Sequence, residues 1–389
     1  MESVALAGFL LAACMLVYVQ VVYPVMLGVL SKCKGKSVRM REFYPTVTLV
    51  IPAYNEEGVI KDKITNSLSL DYPGDKLTIV VASDGSTDGT NNIASTYRNR
   101  GVVLKAFSVR KGKISVLNNT VPTLSSEVVV FSDANVMYKP DALKMLVRNL
   151  ADPAVGAVTG KVMLRSDRVS FCEGESLYYK VERFLQTAES ATGSLIGADG
   201  AMYAIRRELY EPPPPTTILD DFVIPMAIAR RGWRVVYEAG AIGYEDSAPT
   251  VREEFFRRVR IAAGAVQILR ERLALPRPNQ PMLLWKFCSH KVLRWSMPIW
   301  LILLFVSNLF LLAEPFYAGL FMIQGTFYLL GTIGGALQPA GRLFSIPTYF
   351  CVAEVATSVG LIKGLLNRQS VKWRVARRDA PQPSRPVSS

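Results

Sequence analysis

Two acidic clusters stand out for the chemistry they permit. In Asp133-Ala134-Asn135, two oxygen-bearing side chains stand at i and i+2. On an extended segment they face the same way and suit a hard cation such as Mg2+ or Mn2+ together with phosphate oxygens. An Asp-x-Asn turn uses the same residue types without a metal. Asp220 and Asp221 open the helical stretch FVIPMAIARRG, after the prolines at 212–215. One carboxylate suffices to cap a helix, and a second is then available as a general base. Asp84 ends an apolar run ahead of Gly85-Ser86-Thr87-Asp88-Gly89, a composition equally suited to an Asx-type turn opening a helix. Asp199 and Gly200 lie among small residues at 198–204, which let a ligand approach the backbone or simply make a turn. Arg257 and Arg260, three apart in EEFFRRVRIAAGAVQ, share a helix face. Paired guanidinium groups match a diphosphate; a solvated or membrane-surface face has the same composition.

These clusters need a scaffold, and residues 47–131 describe one. Short β-rich runs at 47–52 (VTLVIP), 77–82 (LTIVVA), 101–106 and 128–131 alternate with helical stretches at 57–70, 91–99 and 113–119. That alternation predicts an α/β domain with a parallel sheet covered by helices, its ligands beyond the carboxyl ends of the strands. PAYNEE, SDGSTDGT and SDAN follow the first, second and fourth runs. The sequence holds neither a GxGxxG turn after a strand nor a GxxxxGK[ST] loop, which argues against dinucleotide and P-loop chemistry.

The 389 residues include 45 Lys+Arg and 32 Asp+Glu, a net charge of +13, yet half are hydrophobic and mean hydropathy is +0.22. So apolar a basic chain points to a membrane surface or an anionic substrate before nucleic acid. The single histidine, His290, excludes a His-rich metal centre, and the five scattered cysteines form no CxxC pair. Residues 4–30 carry no charge and are followed by Lys32, Lys34, Lys36, Arg39 and Arg41. The run is long enough to span a bilayer, and its basic flank belongs in the cytoplasm. The runs 295–313, 315–340 and 343–362, the last interrupted by Glu354, predict three further spans. Residues 282–294 mix aromatic and basic side chains as an interfacial helix does. The expected organisation is an anchor at 1–31, a cytoplasmic domain at 44–272, interfacial and transmembrane helices at 282–366 and a basic flexible tail at 367–389. Three spans after a cytoplasmic domain put that tail outside, whereas its arginines put it inside.

Taken in order, VTLVIPAYNEE, SDGSTDGT, RKGKISVLN, SDANVMY, GADGAMYAIRREL and LDDFVIPMAIARRGWRVVYE resemble the membrane-bound family 2 glycosyltransferases, which include cellulose, chitin-oligosaccharide, poly-N-acetylglucosamine and hyaluronan synthases. The resemblance covers about residues 46–267 and implies a GT-A fold that binds a nucleotide sugar, a UDP-sugar first among candidates. It implies that Ala53, Tyr54, Glu56 and Asp84 contact the nucleoside, with Lys113 near the phosphates and Asp199 and Gly200 beside the substrate. Asp133 matches the first aspartate of the metal-binding DxD motif, and Asn135 stands where the second would be. Asp221 matches the base of the TED motif, preceded by Asp220. Arg257-Arg258-Val259-Arg260-Ile261 occupies the place of QxxRW, with Arg260 as its arginine. Ile261 replaces the tryptophan that helps form the acceptor floor in processive members, and Ser83 stands where many members carry another aspartate.

What the resemblance implies is an inverting transferase of a bacterial-type inner (plasma) membrane, its catalytic domain cytoplasmic. The leaving diphosphate takes support from a metal on Asp133, from Lys113 and from Arg260. Asp221 takes the acceptor proton, and a β-linkage forms. The acceptor is a growing glycan; single transfer to a membrane lipid is the alternative, and the missing tryptophan leans toward it. A membrane-anchored nucleotide-sugar sensor is the reading without catalysis.

Overall fold

A computed structural model describes residues 1–165, 172–246, 251–337 and 342–371. The chain divides into two compact units, one of Met1–Ser37, Ser166–Ile196 and Thr250–Gln369, the other of Val38–Arg165, Gly197–Pro249 and Ser370–Ser389.

The second unit is built on one eight-stranded sheet. Its strands are β1 (Val47–Ala53), β2 (Leu77–Asp84), β3 (Val102–Phe107), β4 (Val128–Ser132), β5 (Val136–Tyr138), β6 (Val155–Arg165), β7 (Met202–Arg206) and β8 (Arg234–Asp246), in the order β3-β2-β1-β4-β7-β6-β8-β5. The four runs read from the sequence form the parallel half, β3-β2-β1-β4. In the other half, β7 runs antiparallel to β4 and β6, β6 parallel to β8, and β5 antiparallel to β8. Every residue of β1 and β4 is buried, as befits runs apolar on both faces. Helices Glu57–Leu68, Thr90–Ser95 and Lys113–Thr120 follow β1, β2 and β3. The chain leaves β1 toward β2 on one side and returns to β4 on the other, so the ends of β1 and β4 flank the switch point where open α/β sheets bind ligands.

The other unit is helical. Its first helix runs Glu2–Lys34 with a π-helical stretch at Tyr18–Val22, extending the uncharged run at both ends. It packs antiparallel to Met297–Leu309, with Gln20 Nε2 3.3 Å from Met297 Sδ and Gly8 against Ser307. Among the described residues, three helices, Glu2–Lys34, Pro315–Leu337 and Leu343–Leu365, are long and apolar enough to cross a membrane. The run expected as a span at 295–313 holds the helix Met297–Leu309, which is long and apolar enough only together with Pro281–Trp295, as a broken span or a re-entrant loop. Pro281–Trp295 and Met297–Leu309 meet at a 58° bend, with Pro298 in the first turn of the second. Thirteen residues rise only about 20 Å, less than the hydrocarbon core of about 30 Å. Residues 338–340 of the third predicted span, and the tail beyond 371, lie outside the described residues.

The helix Pro281–Trp295, expected at an interface, turns its charges inward. Glu189, on helix Cys172–Ala191, accepts from Tyr23 at 2.8 Å and pairs with His290 Nδ1 at 2.7 Å. Glu182 accepts from Arg294 at 2.8 Å, and Lys286 donates to the carbonyls of Glu189 and Ser194. Helix Arg342–Leu365 lies against Val251–Glu271 through glycines: a Cβ on Gly360 would stand 2.5 Å from the Val259 carbonyl oxygen, and one on Gly364 2.7 Å from Val266 Cβ. Small residues at such spacing let helix backbones approach closely, and this crossing holds the helix that carries Arg257, Arg258 and Arg260.

Candidate active site

The loops after β1 and β2 are tied into one piece. Beyond Ala53 the chain turns at Asn55, a non-glycine residue at φ 53°. The Asn55 Oδ1 accepts from the Thr87 amide at 2.8 Å, and the Glu56 amide donates to Thr90 Oγ1 at 2.9 Å. Asp88 accepts from the amides of Glu57 and Thr90, so its carboxylate serves the loop itself. The ring of Tyr54 lies 3.6 Å from the Arg110 guanidinium carbon, a cation–π stack at the mouth of β1.

Asp84 is fully buried, and both its oxygens hold the following loop: Oδ1 accepts from the Lys111 amide at 2.7 Å and Oδ2 from the Gly112 amide at 2.8 Å. The turn that permits this needs two glycines. Gly85 has φ 69°, and a Cβ there would stand 2.7 Å from the Arg110 nitrogen; Gly112 has φ 103°. Such values suit glycine and few other residues.

The next residue, Lys113, joins the two acidic clusters. Its ammonium lies 2.9 Å from Asp133 Oδ1 and 3.2 Å from Asp220 Oδ2. Burial alone would lower its pKa. Asp133 and Asp220, with Asp221 further off, outweigh that effect and hold it well above the usual lysine value.

Asp133-Ala134-Asn135 is not extended, as the i, i+2 reading supposed. It turns tightly between β4 and β5, with the Val136 amide donating to the Asp133 carbonyl at 3.3 Å. The two side chains consequently meet different partners: Asp133 faces Lys113, and Asn135 Nδ2 donates to Glu245 Oε1 at 3.0 Å. Among the described residues, no group of three or more His, Cys, Asp or Glu side chains is arranged to enclose a metal ion. The Asp133 carboxylate and Asn135 Oδ1 are each oxygen donors of the kind a Mg2+-type ion accepts, its remaining ligands coming from water and substrate phosphates. Beneath the turn, Lys63 is fully buried, its ammonium donating to the Val136 carbonyl and lying 4.1 Å from the Tyr138 ring centroid. Burial pushes its pKa down to about 7, opposed by Asp133.

Asp220 and Asp221 begin the helix Asp220–Arg230, where the N-cap position is Leu219. Neither carboxylate caps the helix, correcting that expectation; both sit in its first turn, where the helix dipole favours negative charge. Asp220 is buried against Lys113, whereas the side chain of Asp221 faces Gly200: a Cβ on Gly200 would stand 3.0 Å from Asp221 Oδ2. Asp199 makes an Asx-type turn, its Oδ1 accepting from the Ala201 amide at 3.2 Å. Burial first, then Glu245, Asp221 and Asp133, push its carboxyl up to about 7 against that hydrogen bond. Arg257 and Arg260 belong to the helical unit. There Glu254, buried, binds Arg257 and Arg258 at 2.7 Å each, and Arg258 also donates to the Tyr349 hydroxyl. Lys63, Arg110 and Glu245 were not singled out from the sequence. Arg110 adjoins the KGK segment, a signal that was present; Glu245 reaches the site only through the pairing of β8.

The family model described as "Glycosyltransferase like family 2" matches residues 45–270, more than half of the chain. The chain belongs to the family 2 glycosyltransferases. The beta-monoglucosyldiacylglycerol synthase of Synechocystis sp. is 26% identical over 232 residues, covering 58% of this chain and 48% of that protein. The poly-beta-1,6-N-acetyl-D-glucosamine synthase of Staphylococcus aureus is 24% identical over 229 residues, covering 57% of this chain and 55% of that protein. The chain spans about half the length of these curated relatives. The mannosyltransferase PcManGT of Pyrobaculum calidifontis, solved in complex with GDP-Man and Mn2+, is 25% identical with a TM-score of 0.71, covering 95% of this chain and 99% of that one. The GT-A fold expected from the motifs is thus the fold observed.

Proposed function

We propose that this family 2 glycosyltransferase moves a sugar from a nucleotide-sugar donor to an acceptor at a membrane, inverting the anomeric centre to leave a β-linkage. The observation that carries the reading is the bridge made by Lys113 between Asp133 and Asp220 at the switch point of the sheet. It gathers a cation held charged at neutral pH, the Asp133 carboxylate, of a type suited to Mg2+ or Mn2+, and the two adjacent carboxylates of the helix start. The divalent ion, when bound by Asp133 and Asn135, supplies positive charge to the donor's diphosphate. Lys113 adds its own charge there. Tyr54 and Arg110 offer a flat surface suited to a nucleobase, with Ala53 and Glu56 beside it. Asp220 serves Lys113, which leaves Asp221, backed by Gly200, to accept the proton of the acceptor hydroxyl.

A UDP-sugar is the first donor to try, with GDP-mannose second because PcManGT was solved with it. The acceptor is a growing glycan or a lipid. Ile261, standing where a stacking tryptophan is expected, favours the lipid, as does the similarity to a glycolipid synthase. The catalytic unit faces the cytoplasm. A Cβ on Gly112 would stand 3.4 Å from Val371 Cγ1, which supports placing Val371, the last described residue, on the catalytic side. An even number of crossings between Glu271 and Ser370 then reconciles the tail's charges with its position.

Asp221→Asn is the direct test. Loss of a general base costs about 10²–10⁴ in rate, so kcat should fall by that much with donor binding retained. Normal turnover by Asp221→Asn, with loss in Asp220→Asn, would show the pair to be assigned backwards.

A further inference from the structure

Asn135 stands where the DxD motif has its second aspartate, and its position opposite Glu245 gives that departure a physical reason. Asn135 Nδ2 donates to Glu245 Oε1 at 3.0 Å. The sheet puts the two together: β5 and β8 pair antiparallel with Val136 opposite Glu245. A Cβ on Gly243 would stand 2.9 Å from Val136 Cγ1, so β8 comes as near to β5 as a glycine permits. Helix Glu57–Leu68 holds the strand in place: Lys63 donates to the Val136 carbonyl, and Asn66 binds both backbone groups of Tyr138 at 2.7 and 2.8 Å.

A carboxamide has one donating end and one accepting end. Glu245, an acceptor, takes the NH2 end of Asn135 and leaves Oδ1 as the free end of the group. An aspartate at 135 would instead set two carboxylates about 3 Å apart, where both cannot stay ionised at ordinary cost. The identities of residues 135 and 245 are therefore linked. We propose that Glu245 is a positioning residue that fixes the Asn135 carboxamide with Oδ1 offered to the divalent cation. The proposal rests on the reading of Asp133 and Asn135 as the metal-holding pair. Groups that orient a metal ligand are typically worth 10–100-fold in metal affinity.

The test is direct Mn2+ titration of the purified full chain in detergent, by electron paramagnetic resonance of the free ion, on the wild type, Glu245→Gln, Asn135→Ala and the double variant. Glu245→Gln should weaken Mn2+ binding about 10-fold. In the Asn135→Ala background the same change should have less than about a twofold effect, because Glu245 acts through Asn135. A swapped pair, Asn135→Asp with Glu245→Gln, keeps the bond with donor and acceptor exchanged and should bind Mn2+ within about twofold of wild type or more tightly. Wild-type affinity in Glu245→Gln, losses that multiply in the double variant, or a swapped pair that folds and fails to bind would each overturn the proposal. Absence of Mn2+ binding by the wild type would instead overturn the metal reading on which it stands.

Discussion

Replacing Asp84 with Asn changes a carboxylate to an isosteric amide at a fully buried position. In the wild type the two oxygens accept from the amides of Lys111 and Gly112 at 2.7 and 2.8 Å. Hydrogen bonds to a charged group contribute about 1.5–3 kcal/mol each. The asparagine keeps one acceptor and points its NH2 at the other amide, donor against donor. One bond is lost and a buried N–H is left without a partner, a local cost of roughly 2–4 kcal/mol. Lys113 follows immediately, so loosening the loop frees the ammonium from Asp133 and Asp220. At about 1.4 kcal/mol per factor of ten, the equilibrium constant for holding the loop in place falls by roughly 30- to 10³-fold, and kcat/KM for the donor should fall by up to that factor. Steady-state release of nucleoside diphosphate reads the rate, and a thermal melt reads the fold; the melting midpoint should drop by only several degrees. If Asp84→Asn retains full kcat/KM, the carboxylate does not hold the loop, and the explanation of its burial is wrong.

Gly200→Ala should press a methyl group against Asp221, since the added Cβ would lie 3.0 Å from both Cβ and Oδ2 of that residue. A base displaced by a few tenths of an ångström should lower kcat about 10-fold while donor affinity, measured by calorimetry, stays unchanged. The raised pKa of Asp199, about 7, has a sign that a melt can check. Between the ordinary carboxyl value and 7 the folded chain holds a proton that the unfolded chain has released, so stability falls as pH rises through that window and is level above it. In chelator, Asp199→Asn should remove that decline and raise the melting midpoint at pH 8; an unchanged pH profile would mean that Asp199 is not held protonated.

The parallel half of the sheet was legible because each of its strands is a continuous β-branched run with its polar loop at the carboxyl end. β5 was not, since three residues (Val136, Met137, Tyr138) become a strand only by pairing with β8 and by the grip of Asn66 and Lys63. β8 was hidden by Gly240 and Gly243, which interrupt a β pattern, though Gly243 lets β5 come close. At the site, residue types pointed to Asp133, Asp220 and Asp221 individually, and the family resemblance to Lys113. Their meeting depends on parts of the chain separated by 20 residues in one case and about a hundred in the other. The partners of Asp84 and Asn135 are likewise set by the fold: a backbone loop for the first, a carboxylate 110 residues away for the second. In the helical unit, the pairing of His290 and Arg294 with Glu189 and Glu182 turns the charges of helix Pro281–Trp295 inward, while Met282 and Leu284 stay exposed. Local composition carries no record of such long-range partners.

Catalysis of sugar transfer from a nucleotide donor is tested most directly by a donor screen on purified membranes containing the full chain. UDP- and GDP-sugars are supplied with Mg2+ or Mn2+ and a membrane lipid extract, and released nucleoside diphosphate is measured beside the size of the glycosylated product. Release is expected from at least one sugar nucleotide, lost on chelation and in Asp221→Asn, with a glycolipid or short glycan as product. Sugar nucleotides that bind without any release of nucleoside diphosphate, under every metal and acceptor condition, would contradict it and leave a sensor in place of an enzyme.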